Sequence, residues 1–94
     1  MSFEIKYENK SKRKEFDSVL DRYSEDIQKR AIKHLSETPY NSKKIGQLRK
    51  YDLPDAYRIV YTIPKVSKDA PKIVNIVGAG DHSYYDRLLK KYAK

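Results

Sequence analysis

The fold is decided by residues 57–63, YRIVYTI, and residues 72–80, KIVNIVGAG, which follow one another along the chain. In the first segment, large apolar side chains occupy every second position and Arg58 lies between the first two, which is the period of a half-buried strand. The second segment contains four β-branched residues with little alternation, a pattern typical of a strand buried on both faces. The sequence therefore predicts two successive strands, the second of them central in its sheet.

The sequence that precedes these two predicted strands indicates one further strand and two helices. Residues 3–7, FEIKY, alternate as a strand does. Ser11 can cap a first helix, in which apolar residues recur at the i, i+3, i+4, i+7 spacing up to Tyr23. Ser24, followed by two acidic residues, begins a second helix with its own apolar stripe, and residues 38–42, TPYNS, end it. The two stripes predict a helix hairpin that packs on a sheet.

The remaining segments complete an α+β order. A short strand is expected at residues 45–51 and a turn at residues 52–55. A polar connection leads from Pro64 to Lys72, and a short C-terminal helix follows His82. Because consecutive strands with short connections favour antiparallel pairing, we expect an antiparallel sheet of about four strands, with the helix hairpin packed on it and helices mainly on one face.

Composition restricts the partners and the location. Twenty-one Lys and Arg residues against thirteen Asp and Glu residues give the chain a net charge of +8, which favours an acidic partner such as a nucleic acid. At this length, one domain is expected over residues 1–94. The chain has no cysteine, which excludes disulfides and thiolate metal sites, and it has no apolar run of the roughly 20 residues that span a membrane. We expect a cytoplasmic protein without a membrane anchor.

Common cofactor and metal motifs are missing. The GAG sequence at residues 78–80 follows a strand, but Ser83 occupies the place of the third glycine of a dinucleotide motif. The chain has no GKS or GKT sequence for a phosphate loop. Its two histidines, His34 and His82, are too far apart in sequence to indicate a metal cluster. The sequence therefore predicts no cofactor and no metal site.

Residues 47–88, taken together, resemble the RelE/ParE superfamily of toxins. The resemblance is carried by DAYRIVYTI at residues 55–63, VNIVGAG at residues 74–80 and DHSYYDRL at residues 81–88. In RelE-like members, a strand with a YRxxY sequence is followed by a strand that ends in glycine and then His or Arg, with a tyrosine shortly afterwards. The resemblance implies the toxin component of a type II toxin–antitoxin system, a ribosome-dependent endonuclease that cleaves mRNA without a metal.

The resemblance also implies roles for individual residues. Arg58 matches the arginine that contacts the scissile phosphate, and its guanidinium can donate to two phosphate oxygens. His82 matches the residue that transfers protons, which an imidazole can do near neutrality. Tyr85 matches the C-terminal tyrosine of the family, although the spacing also allows Tyr84. The basic residues that would hold the RNA backbone are Lys43, Lys44, Arg49 and Lys50.

Other interpretations stay open at this point. Arg58 can be a strand arginine paired with an acid, His82 a helix cap, and Tyr85 a core residue on the apolar face of the last helix. For a catalytic base other than histidine, Glu37 is the nearest candidate. The partners that the resemblance implies are an antitoxin, mRNA and the ribosome. Alternatives for the whole protein are a ParE-like inhibitor of DNA gyrase and a basic RNA-binding module that cuts nothing.

Overall fold

The structure, a computed structural model, describes residues 3–64 and 72–92. In these residues, strands form a single mixed sheet and helices pack against both of its faces. The strands and helices that periodicity predicts are present, so the α+β class is confirmed. The elements in chain order are β1 (Glu4–Tyr7), α1 (Lys10–Leu20), α2 (Glu25–Glu37), β2 (Lys44–Ile45), β3 (Leu48–Asp52), β4 (Arg58–Thr62), β5 (Ile73–Gly80) and α3 (His82–Tyr92).

The described sheet has five strands in the order β1-β5-β4-β3-β2. β1 runs parallel to β5, with Glu4 opposite Ile73, whereas the other neighbouring strands are antiparallel. The prediction of about four antiparallel strands is therefore wrong in the strand number and in the direction of β1. The alternation of β1 indicates a half-buried strand, but it carries no information on a partner far along the chain. β5, predicted to be central, is an interior strand with a neighbour on each side, and β4 is the middle strand of the five.

The helices lie on both faces of the sheet. α1 and α2 cover one face, the α1/α2 face, where Phe16 and Leu35 are buried with Ile59. α3 covers the opposite face, the α3 face, where Tyr85 is buried with Val60. The contacts of α1 are mainly with β5 and those of α2 mainly with β1. The predicted hairpin arrangement is wrong, because the apolar stripes of α1 and α2 pack mainly on different strands of the sheet. Two of the three described helices nevertheless lie on one face.

Two local boundaries differ from their predictions. α1 is capped by Asn9, whose Oδ1 accepts a hydrogen bond from Lys12 N at 3.0 Å, and not by Ser11. Ser11 lies inside the helix because the helix begins one residue after Asn9. The strand predicted at residues 45–51 is two strands, β2 and β3, joined by a turn in which Gly46 has a φ of 60°. Glycine adopts this left-handed conformation without steric cost, and it reverses the chain there.

A β-bulge and two glycines determine where α3 packs. The register of β4 and β5 shifts between Val60 and Tyr61, where Val77 is the extra residue on β5, and Gly78 and Gly80 lie opposite Val60 and Arg58. A Cβ atom at Gly78 would lie 2.6 Å from the Tyr84 hydroxyl oxygen, and one at Gly80 would lie 2.7 Å from Tyr84 Cγ. The GAG sequence therefore makes room for the Tyr84 ring, which brings α3 close to the sheet.

The connection predicted between Pro64 and Lys72 falls mainly on residues 65–71, which lie outside the described residues. The strands on either side of it, β4 and β5, are antiparallel neighbours, as short connections favour. Within residues 3–64 and 72–92, no helix has the length and apolar character needed to cross a membrane.

Candidate active site

Three strand residues lie beside the first turn of α3. In the sheet register, Asp52 lies opposite Arg58, and Arg58 lies opposite Gly80. The next residue, Asp81, caps α3, because its carboxylate accepts a hydrogen bond from Tyr84 N at 2.9 Å. The chain therefore enters α3 next to the side chain of Arg58. The resulting group, called the Arg58 cluster, consists of Lys50, Asp52, Arg58, His82, Tyr85 and Asp86.

Arg58 lies at the centre of this cluster, with 19% of its side chain exposed. Its Nε lies 3.2 Å from Asp52 Oδ1, and its Nη1 lies 3.1 Å from His82 Nδ1. The guanidinium carbon lies 4.6 Å from the centre of the Tyr85 ring, which is a cation–π distance. Lys50 Nζ also contacts Asp52, at 3.2 and 3.3 Å from its two carboxylate oxygens. Asp52 therefore holds two cations side by side on the α3 face.

The two ring nitrogens of His82 have different partners. Because a guanidinium can only donate, His82 Nδ1 must be the acceptor in its contact with Arg58. The proton of the neutral imidazole is then on Nε2, which lies 3.2 Å from Asp86 Oδ2, one helical turn further along. Arg58 and Asp86 together fix the tautomer and the orientation of a ring that stays largely exposed.

Tyr85 combines a core ring with a polar end at the site. The ring is buried with Val60 and Leu88, and Arg58 covers one of its faces, so it cannot stack on a base. The hydroxyl makes no hydrogen bond to another residue that the structure describes. Burial raises the pKa of Tyr85, and the charge of Arg58 partly offsets this effect. The hydroxyl is thus the part of Tyr85 that a substrate can contact.

Tyr84 points away from the Arg58 cluster, toward α1. Its hydroxyl donates a hydrogen bond to Glu15 Oε1 and accepts one from Lys12 Nζ at 2.8 Å. Burial raises the pKa of Tyr84, and the hydrogen bond to Glu15 adds to this effect. Tyr84 therefore fastens α3 to α1. Of the two tyrosines that the sequence leaves open, Tyr85 is the one that belongs to the cluster.

The four basic residues predicted to hold RNA are divided between the two faces of the sheet. Lys50 belongs to the Arg58 cluster, and Lys43 lies next to it, since Lys50 N donates to the Lys43 carbonyl at 3.3 Å. Arg49 points to the α1/α2 face, where its Nη1 donates to two backbone carbonyls of the loop before β2. Lys44 lies opposite Arg49 in the sheet register. Two of the four residues, Lys43 and Lys50, therefore lie beside the candidate site.

The α1/α2 face carries a polar group of its own around Tyr61, which is fully buried. The Tyr61 hydroxyl donates to the Pro39 carbonyl at 2.6 Å, contacts Ser42 Oγ, and lies 3.4 Å from His34 Nε2. Burial raises the pKa of Tyr61 and lowers the pKa of His34. This group, called the Tyr61 network, consists of His34, Pro39, Ser42, Arg49 and Tyr61. It holds the loop between α2 and β2 on the sheet.

Two acidic members of the Arg58 cluster, Asp52 and Asp86, are missing from the residues that the sequence singled out. Asp86 follows His82 by four positions, which on a helix brings two side chains to the same side. Asp52 and Arg58 flank the predicted turn, so hairpin pairing brings them opposite each other. Both signals were present in the sequence. Glu37, by contrast, ends α2 on the other side of the sheet.

Within the residues that the structure covers, no three His, Cys, Asp or Glu side chains are grouped as a metal ion would require. Comparison of the chain with protein-family models, with curated proteins and with solved structures gave no match. The function must therefore be inferred from the residues and from the geometry of the Arg58 cluster.

Proposed function

We propose that this protein is a RelE-like toxin, an endoribonuclease that cleaves mRNA in the ribosomal decoding site. The observation that carries the proposal is the contact between Arg58 and His82, with a second cation, Lys50, on the same side of the sheet. Cleavage of RNA without a metal needs a cation for the phosphate and a group that transfers protons. The resemblance to RelE-like toxins implies the same arginine and histidine.

Arg58 keeps hydrogen-bond donors available for a substrate. Of the five N–H groups of a guanidinium, one on Nη1 is used by His82, and the Nε group lies beside Asp52 at ion-pair distance, which leaves three, including both on Nη2. A phosphate can accept two of these at once, and the added negative charge of a phosphorane transition state strengthens both bonds. Lys50, held in place by Asp52, adds a second positive charge.

His82 supplies the proton transfer. Its Nδ1 lone pair faces Arg58, so a phosphate that draws the guanidinium toward itself frees Nδ1 to act as a base. The base removes the proton of the ribose 2′-hydroxyl, the 2′-oxygen bonds to phosphorus, and the bond from phosphorus to the 5′-oxygen breaks. The products are a 2′,3′-cyclic phosphate and a 5′-hydroxyl, whose proton comes from the imidazolium directly or from the Tyr85 hydroxyl, which then regains a proton from the imidazolium. Asp86 holds the ring through Nε2 during these steps.

The proposal includes a cytoplasmic location and an antitoxin that covers the α3 face. A ParE-like inhibitor of DNA gyrase needs no group that transfers protons, and the orientation of His82 by Arg58 and Asp86 favours the nuclease. A non-catalytic RNA-binding module would use Arg58 and Lys50 as phosphate contacts alone. Cleavage, and not binding, therefore distinguishes these functions.

Cleavage of mRNA on programmed ribosomes tests the proposal, with the intact protein compared with Arg58→Ala and His82→Gln. We expect cuts in the decoding site, at a rate that falls about 10²–10³-fold without the guanidinium and at least about 10²-fold without the imidazole. The matched controls are Arg30→Ala and His34→Gln, which change an arginine and a histidine of α2 on the far side of the sheet. Both controls are expected to cut at close to the intact rate.

Circular dichroism and thermal unfolding of each variant separate lost chemistry from lost folding. Undiminished cleavage by folded Arg58→Ala and His82→Gln would remove the Arg58 cluster from the reaction. If the folded intact protein cuts nothing, the nuclease proposal is wrong. Gyrase inhibition or RNA binding by the same preparation would then decide between the two alternatives.

A further inference from the structure

A cleft of about 200 Å³ lies between α1 and α3. The α3 residues that line this cleft lie on one side of the helix. The α3 residues of the Arg58 cluster lie on the opposite side, as the helical spacing requires. The cleft is therefore separate from the site described above. The lining residues are Lys12, Tyr84, Arg87, Leu88 and Lys91.

The charges around this cleft are unbalanced. Arg87 and Lys91 lie one turn apart on α3, and neither has a carboxylate partner within 4 Å in the described part of the chain. Lys12 Nζ lies 3.3 Å from Glu15 Oε2, and the other oxygen of Glu15 accepts from the Tyr84 hydroxyl. A second carboxylate, Glu8, lies nearby and accepts from the Tyr92 hydroxyl at 3.0 Å. Two carboxylates, both already engaged, thus lie near three cations, and an anion in the cleft would relieve the remaining repulsion.

Lys12 is the preorganised member of this group. Its side chain is only 17% exposed, and its Nζ is fixed by the contacts with Glu15 and with the Tyr84 hydroxyl at 2.8 Å. Two of the three ammonium donors are used in these contacts, which leaves one for a ligand. The Arg87 guanidinium can add a planar pair of donors, which suits a tetrahedral oxyanion. The cleft is smaller than the roughly 300 Å³ of the smallest drug-sized sites, so it suits a single small group.

We infer that this cleft binds a phosphate group through Lys12, Arg87 and Lys91. The group is a phosphodiester further along the RNA strand whose scissile phosphate lies at Arg58 on the other side of α3, and this part of the inference rests on the proposed function. Binding of inorganic phosphate at the same residues does not depend on it. Such a contact holds the strand in position without reading its sequence.

The test uses the intact chain and two probes at constant ionic strength. One probe is inorganic phosphate, and the other is a single-stranded oligoribonucleotide with 2′-O-methyl groups, which cannot be cleaved. The variant is Arg87→Gln with Lys91→Gln, and the control is Lys29→Gln with Lys33→Gln, which removes two exposed cations at the same spacing on α2. Amide chemical shifts in nuclear magnetic resonance spectra locate phosphate binding, and fluorescence anisotropy measures RNA affinity.

We expect saturable phosphate binding with shifts around Lys12 and Tyr84, and at least about fivefold weaker RNA binding in the α3 variant than in the α2 control. The slope of log affinity against log salt should decrease in magnitude by about 0.7 for each phosphate of the single strand that the variant no longer binds. A specific loss of RNA binding without detectable binding of free phosphate would also support the site and identify the RNA backbone as its ligand.

Phosphate binding without any specific effect on RNA affinity would support the site, and it would exclude the RNA strand as the source of the phosphate group that binds there. Equal losses in the two double variants, with no saturable phosphate binding, would overturn the inference. Because neither measurement depends on cleavage, failure of this inference can be distinguished from failure of the nuclease proposal.

Discussion

Each face of the sheet brings a histidine, an arginine and a tyrosine close together, and the two faces use them differently. On the α1/α2 face, Tyr61 and Arg49 donate to backbone carbonyls, and Tyr61 is fully buried. On the α3 face, the contacts of the Arg58 side chain with the described residues are all to other side chains, the Tyr85 hydroxyl has no partner among those residues, and His82 is largely exposed. Hydrogen bonds to backbone carbonyls hold a loop in place, whereas contacts with exposed side chains can be replaced by contacts with a ligand.

Neighbouring residues of one strand supply both groups. Arg49 and Lys50 are adjacent in β3, and because side chains alternate across a strand, Arg49 joins the Tyr61 network while Lys50 joins the Arg58 cluster. Consecutive basic residues in a sequence therefore need not form one basic surface. The strand register decides which of these residues can reach a substrate.

The largest effect confined to the α3 face is expected from Gly80→Ala. The added Cβ would lie 2.7 Å from Tyr84 Cγ and 2.9 Å from Tyr84 Cβ, atoms that cannot move aside unless α3 moves. We expect the free energy of unfolding to fall by about 1–3 kcal/mol. Cleavage of mRNA should fall as well, because α3 carries His82 away from Arg58. Urea unfolding measures the first effect and ribosomal cleavage the second.

Tyr84→Ala provides the control for this substitution. Of the three atoms nearest to the added Cβ, Tyr84→Ala removes Cγ and Cδ1 and keeps Cβ at 2.9 Å, so Gly80→Ala should cost less stability in this background without becoming neutral. An equal cost in both backgrounds would mean that the glycine serves something other than the Tyr84 ring.

Periodicity predicted the strands and helices around Arg58 and His82 because the burial of alternate residues, or of residues one turn apart, is a local property. It did not predict that β1 runs parallel to β5, because alternation does not encode a partner. The part played by residues 78–80 also escaped prediction. It depends on Tyr84, whose hydroxyl is held by Glu15 from a helix at the other end of the chain.

Tyr61→Phe tests whether the α1/α2 face contributes to stability and not to cleavage. The substitution removes the donor that lies 2.6 Å from the Pro39 carbonyl in a fully buried position. We expect the free energy of unfolding to fall by about 1–2 kcal/mol, with no change in cleavage by the folded protein. Tyr85→Phe is the matched variant, and because the Tyr85 hydroxyl has no partner in the described residues, its stability should change by less than about 0.5 kcal/mol. A greater loss of stability in Tyr85→Phe than in Tyr61→Phe would reverse the roles of the two faces.

A smaller effect is expected from Asp86→Asn, which sharpens the account of His82. The pair lies at 3.2 Å with both side chains more than half exposed, and exposed pairs contribute up to about 1 kcal/mol. Cleavage should therefore fall by up to about fivefold, well short of the loss expected for His82→Gln. A loss equal to that of His82→Gln would mean that Asp86 itself takes part in proton transfer. Glu25→Gln, which breaks an exposed pair with Lys29 at 3.2 Å, is the matched control.

The smallest effect concerns His34 and pH. Burial lowers the pKa of His34 below its ordinary value of 6.5, so the unfolded chain binds a proton there more readily than the folded chain does. The free energy of unfolding should therefore fall as the pH drops through about 6.5, until the pH lies below the folded-state pKa. Denaturant unfolding between about pH 5.5 and 7.5, above the range of ordinary carboxylates, measures this slope, which should shrink in His34→Gln. An unchanged slope in His34→Gln would mean that His34 is protonated equally in the folded and unfolded states, and hence that burial in the Tyr61 network does not affect it.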